Sequence, residues 1–218
     1  MDNNSLTTWS NFYSTTSNLK NFLEDIFFHA SFLKEIIRIK PQRVLEVGIG
    51  KGTLSIIFGL LGYNVVGVDN DLTLVTEATK RIQGTKVSQR VNFLHGDAFK
   101  LSKIFAREEK FDCCFSQGLM EHFSDGQIRD LLKEQLAIAQ TVIFSVPSIF
   151  FPFHDFGNER LLSAQDWKKI LNGFNVAWIK YYGRLLSFDV GLRFMLQNRR
   201  LSFKYINKFT NLVIKVTN

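Results

Sequence analysis

The sequence predicts an α/β chain built around an open, doubly wound sheet. Two observations predict it. Short β-branched runs alternate with helix-length amphipathic stretches between residues 44 and 146. The first run, Val44–Val47, breaks into Gly48-Ile49-Gly50-Lys51-Gly52, and apolar Leu54, Ile56, Ile57 and Phe58 then follow at helical density. Strand, glycine turn and helix start, in that order, bring bare backbone and free N–H groups up to a ligand.

Composition narrows the setting. A chain of 218 residues is long enough for one α/β domain with modest additions. Its hydrophobic fraction of 45% fits a soluble globular protein. No run approaches the roughly 18 apolar residues of a membrane span. The polar start Met1-Asp2-Asn3-Asn4 shows no secretory signal, so a cytoplasmic protein is expected. Cys113 and Cys114 are adjacent in an apolar run and read as buried thiols, with no metal site expected. Net charge is +7, and residues 160–218 hold eleven Lys or Arg against Asp166 and Asp189. That basic face is either solvated or an attraction for an acidic partner. Its charges are scattered rather than clustered, so a nucleic-acid partner is not expected.

The elements follow in order. Residues 1–20 are polar, with Trp9, Phe12 and Tyr13 interspersed. Leu19, Phe22, Leu23, Ile26, Phe27, Phe32, Leu33, Ile36 and Ile37 have helical spacing, closed before Pro41. Residues 1–40 are expected to form a helical cap, either a lid or a helix packed on the sheet. Residues 41–218 form the main domain. A helix over Thr53–Leu61 stops at Gly62, and Asn64–Asn70 is a second buried strand. Asp69 closes that strand, and a carboxylate there can accept both ribose hydroxyls of a bound adenosine. The alternative role, capping the helix Leu72–Gln83, suits Asp71 better.

Val91–His95 is the third strand, ending in Gly96-Asp97-Ala98 and a short helix to Ala106 that Asp97 can cap. Phe111–Ser116 is the fourth, with Asp112 at its structural far end. Ser124 caps a helix over Asp125–Ala139 whose apolar face is Ile128, Leu131, Leu132, Leu136 and Ala139. Thr141–Val146 is the fifth strand, stopped by Pro147. The loop from Pro147 to Gly157 carries Phe150, Phe151, Phe153 and Phe156 beside His154-Asp155, and reads as a substrate wall. Ser163 to Asp166 opens a helix to Leu171 as a capping box. Phe174–Tyr182 and Phe209–Val216 are the last strands, with the basic segment Gly183–Lys208 between them.

The glycines do not fit a dinucleotide fingerprint, because the third comes one residue early and Thr53 stands where that pattern needs glycine. The pattern Glu46-x-Gly48-x-Gly50-x-Gly52 resembles the first motif of class I S-adenosylmethionine (SAM)-dependent methyltransferases. The acid after strand two and the Gly-Asp-Ala turn after strand three resemble its later motifs, and the run Ser116…Glu121-His122…Asp125 after strand four resembles a segment of its small-molecule members, with Met120 where leucine is usual. The resemblance covers about residues 42–218. It implies a Rossmann-like sheet of seven strands in the order 3-2-1-4-5-7-6, the last strand antiparallel.

It also implies SAM as cofactor, held by Glu46, Gly48, Ile49, Gly50 and Gly52, by Asp69 and Asn70, by Asp97 and Ala98 at the adenine, and by Ser116 and Gln117. The methyl acceptor is expected to be a small apolar or aromatic molecule against Phe151, Phe153 and Asp155, methylated on oxygen or nitrogen. A hydroxyl acceptor needs a base, and His122 and His154 are the candidates, although the family's Glu-His pair also serves to shape its loop. No D/N-P-P-Y/F motif follows strand four, which disfavours methylation of base amino groups. Two other readings stay open: an NAD(P) oxidoreductase, and a SAM-binding module without catalysis.

Overall fold

The computed structural model describes residues 19–107, 110–151, 158–184 and 209–218. Seven strands form one sheet: β1 (Arg43–Val47), β2 (Asn64–Asp69), β3 (Val91–His95), β4 (Phe111–Gln117), β5 (Ala139–Pro147), β6 (Asn175–Arg184) and β7 (Phe209–Thr217). Their order is β3-β2-β1-β4-β5-β7-β6. The first five are parallel, and β7 runs antiparallel between β5 and β6. This is the order and the strand direction that the motifs imply.

Six helices accompany the described strands: α1 (Leu19–Ile37), α2 (Thr53–Leu60), α3 (Leu72–Ile82), α4 (Leu101–Ile104), α5 (Asp125–Ile138) and α6 (Ala164–Ile170). They cover both faces, which is why the strands are apolar on both sides. On β4, Cys113 and Phe115 face one core with Phe32 and Ile36 of α1 and Phe58 of α2. Cys114 faces the other core, with Leu131 and Leu132 of α5 and Trp167 of α6. Helix α1 therefore packs on the sheet, its Phe32 ring edge-on to Phe115 at 6.2 Å. Trp9, Phe12 and Tyr13 lie outside the described residues, as does the basic segment 185–208. No helix among the described residues is long and apolar enough to cross a membrane.

Local chemistry sets the boundaries. Asp71 caps α3, accepting from the Thr73 amide at 2.9 Å. Ser124 with Gln127 and Ser163 with Asp166 form reciprocal capping boxes on α5 and α6. Asp112 accepts the amides of Gln42 and Arg43 at 2.7 and 2.9 Å and pins the far end of β1. Three elements differ from expectation. The stretch after Asp97 is a 3-10 turn, Ala98–Lys100, followed by the single turn α4, because the Lys100 amide bonds back to the Asp97 carbonyl at 2.9 Å. Strand β5 reaches Pro147, whose partner is Asn211 of β7 at the sheet's end, where a missing N–H is tolerated. Strand β6 runs past Gly183 to Arg184. Gly183 has φ 72°, and a Cβ there would meet the Thr210 hydroxyl at 2.9 Å.

Candidate functional site

The turn after β1 is built from three left-handed glycines, with φ of 76° at Gly48, 51° at Gly50 and 71° at Gly52. The space is as restrictive as the dihedrals. A Cβ on Gly52 would lie 2.9 Å from the Phe93 ring and 3.0 Å from Ala78. The turn is tied to β2 from both sides. The Gly48 amide donates to the Val68 carbonyl at 2.9 Å, and the Gly50 amide donates to Oδ2 of Asp69 at 3.3 Å. Asp69 Oδ1 accepts the Asp71 amide at 2.9 Å. Burial raises the pKa of the Asp69 carboxyl, and the amides of Asp71, Gly50 and Ile49 offset part of that rise.

Glu46 lies beneath the turn, 2% exposed. Its Oε2 accepts both the amide and the hydroxyl of Ser55, which joins β1 to α2. Burial pushes its pKa up to about 8 against the Ser55 hydrogen bonds. On the next strand, Asp97 caps the 3-10 turn through the Phe99 amide at 2.9 Å and meets Lys100 Nζ at 2.8 Å. The Lys100 contact, then the Phe99 amide, hold the Asp97 carboxyl below its ordinary pKa. Ala98 follows in the same turn. Asn70 is exposed, and its carbonyl is 3.1 Å from Nε2 of His95, itself exposed.

The opposite half of the site lies past β4. Ser116 is buried with its hydroxyl unpartnered among the described residues, and Gln117 ends the strand in register with Ser145. Gly118, with φ 67°, turns the chain, its amide donating to the Ser145 carbonyl at 3.0 Å. His122 Nδ1 lies 2.6 Å from Asn158 Oδ1, which selects the tautomer with the proton on Nδ1. The Arg160 amide donates to the Glu121 carbonyl at 3.0 Å, and the Arg160 guanidinium holds the Phe123 carbonyl at 2.7 Å and Asp125 at 2.6 Å. The loop that leaves β5 therefore returns onto the post-β4 turn. Phe151 starts that loop, its amide on the Ser148 carbonyl at 2.8 Å. Phe153, His154 and Asp155 lie outside the described residues.

Sequence reasoning missed a buried polar cluster beside this turn. His29 of α1 bonds the Tyr182 hydroxyl of β6 at 3.0 Å, and that hydroxyl bonds Ser145 of β5. Burial lowers the His29 pKa to about 4 and raises that of Tyr182, so both are neutral. Glu121, which the sequence motif singled out only for its pairing with His122, is 3% exposed and pushed up to about 8 by burial. His29 occupies an ordinary buried position in a helical pattern and Tyr182 one in a strand pattern. Only the crossing of α1 over β5 and β6 joins them.

Residues 44–140 match a family model described as "Methyltransferase domain". Over that stretch the chain is similar to a methyltransferase domain. The chain is 36% identical over 80 residues, 36% of its length, to the dimethyladenosine transferase of Saccharomyces cerevisiae. That match covers 24% of the yeast protein, so the chain spans about a quarter of the curated relatives it matches. Among solved structures it is similar to a Pyrococcus horikoshii OT3 protein, with TM-score 0.66 at 14% identity over 98% of this chain and 96% of that one. It is also similar to the magnesium protoporphyrin IX methyltransferase of Synechocystis PCC 6803 with bound SAM. There the TM-score is 0.58 at 16% identity, over 96% and 89% of the two chains. At such identities these structures establish a shared fold.

Proposed function

We propose that the methyltransferase moves the methyl group of SAM to an oxygen or nitrogen of a small apolar or aromatic molecule, in a cytoplasmic setting. The observation that carries the cofactor half is the Gly50–Asp69 contact. It places a buried carboxylate against a turn of three left-handed glycines. A carboxylate has about four acceptor positions. The amides of Asp71, Gly50 and Ile49 already use part of that capacity, so a ribose diol would share the two oxygens with them. The residues therefore fit an adenosyl group. Gly48, Ile49, Gly50 and Gly52 would form the floor, with Asp69 and Asn70 at the sugar. Asp97 and Ala98 would stand at the base, where Asp97 must loosen a solvent-facing pair with Lys100 that is worth little. Glu46 would support the turn from below through Ser55, and Ser116 and Gln117 would close the side toward the acceptor.

When bound, SAM supplies an electrophilic sulfonium methyl. The chain must orient the acceptor and exclude water. With Nδ1–H directed at Asn158, Nε2 of His122 is the nitrogen able to take an acceptor's proton. His154, with Asp155, is the second candidate for that task. Phe151 and Phe153 would wall the acceptor.

A second reading is an adenosine-containing acceptor. The name of the yeast relatives and the net charge of +7 favour it, so a nucleic-acid partner is not set aside. Against it, Ser116-Gln117-Gly118-Leu119 stands where a D/N-P-P-Y/F motif would hold a base amino group. Methyl-labelled SAM added to host extract with the protein separates the readings. Label in a nuclease-resistant small-molecule fraction supports the first, and label in nuclease-sensitive material supports the second. Cofactor binding without transfer to any fraction would make the protein a non-catalytic SAM-binding module.

A further inference from the structure

Glu121 is a buried carboxyl with one oxygen left unpaired among the described residues. It is 3% exposed, and its Oε2 has no hydrogen-bond partner among the described residues. Its own backbone amide is the donor that lowers its pKa, while the charge of Glu159 raises it. Arg160, next in sequence to Glu159, does not supply a cation, since its guanidinium is held by Phe123 and Asp125. The neutral groups nearby are already engaged with one another, His29 with Tyr182 and Tyr182 with Ser145. A buried acceptor left unpaired is costly, and a buried charge more so. A purely structural position would be served as well by an apolar side chain.

The location is where an acceptor must sit. Ligands of doubly wound sheets bind at the carboxyl ends of the strands, and Glu121 follows β4 by a few residues. The Gly118 amide joins that end to Ser145 of β5 at 3.0 Å. Glu121 Oε1 lies 3.7 Å from the point where a Cβ on Gly118 would stand, so the carboxyl abuts the bare backbone of this turn. His122 is the adjacent residue. We propose that Glu121 reads the methyl acceptor by pairing with a cationic amine on an aromatic or apolar molecule. This rests on the small-molecule reading above and narrows it. An amine fits better than a hydroxyl because an ammonium brings several N–H donors and a charge that would draw off the proton burial holds on Glu121, beside the acid of Glu159.

Three probes share a 4-hydroxyphenyl ring and differ in charge: tyramine, tyrosol and 4-hydroxyphenylacetate. Each is titrated calorimetrically into the protein at pH 7.5, with and without S-adenosylhomocysteine. Tyramine is expected to bind at least tenfold more tightly than tyrosol, and 4-hydroxyphenylacetate weakest. Glu121→Gln should remove that preference while leaving S-adenosylhomocysteine affinity unchanged, an outcome that a merely structural role would not produce. Glu159→Gln, a milder change, should weaken tyramine alone, by a smaller factor. Absence of binding by all three probes, equal affinities, or a tyramine preference that survives in Glu121→Gln would overturn the proposal. Failure of S-adenosylhomocysteine to bind would count against the cofactor reading instead, and the series without it reads the amine preference separately.

Discussion

The Gly50 amide and the Asp69 carboxylate meet at 3.3 Å, although nineteen residues separate them. This contact closes the glycine turn of β1 onto the end of β2. It sets a charged acceptor beside bare backbone. Asp69→Asn keeps the size and one acceptor oxygen but loses the charge. Hydrogen bonds to charged groups are worth roughly 1.5–3 kcal/mol, so SAM affinity is expected to fall about 10- to 100-fold. Isothermal titration reads this directly, and unchanged affinity would contradict the assignment.

Gly52→Ala tests the turn itself. The substitution forces a left-handed alanine, at about 1–2 kcal/mol, and drives its methyl to 2.9 Å from Phe93 and 3.0 Å from Ala78. Overpacking adds about 1–3 kcal/mol. Urea denaturation should show a loss of about 2–5 kcal/mol, with cofactor binding weakened as well. Phe93→Leu in the same background should restore part of the stability.

Two buried acids make stability fall as pH rises. Glu46 and Glu121 are each pushed up to about 8 by burial, from an ordinary 4.5. Between those values the folded state holds protons that the unfolded state has released, so its advantage shrinks with rising pH. His29, lowered to about 4 by burial, acts in the opposite sense, but only below its ordinary 6.5. Between pH 6.5 and 8 His29 no longer opposes these acids, and each contributes a slope of up to about 1.4 kcal/mol per pH unit. Glu46→Gln should flatten the decline in urea midpoint across that window. A wild-type midpoint that is constant or rises there would refute this account.

His122 is proposed as the base. Its removal in His122→Ala should lower kcat about 100-fold or more for a hydroxyl acceptor, with SAM affinity unchanged by calorimetry. Asn158→Ala removes the acceptor on Nδ1 and should give a smaller drop of the same kind. If kcat is kept in His122→Ala, His122 shapes its loop and does not take the proton.

Much of this was readable from residue order because local chemistry fixed it. Glycine spacing placed the turn, Asp71, Ser124 and Ser163 marked helix starts, and the adjacent cysteines announced a buried strand. The strand order came from resemblance, since no local signal states which strands pair. Hidden from the sequence was whatever depends on long-range meeting. Gln135 falls on the apolar stripe of α5 and is buried with its amide unpartnered among the described residues. The His29–Tyr182 bond spans 153 positions. That no described residue reaches Oε2 of Glu121 depends on how the surrounding elements pack, and no motif encodes that.

The most direct test is a crystal structure with S-adenosylhomocysteine. The account predicts the ribose hydroxyls on Asp69, the adenine beside Asp97 and Ala98, and the homocysteine chain over Gly48–Gly52 toward Gln117. A nucleoside bound elsewhere on the sheet, or Asp69 left without a sugar contact, would contradict it.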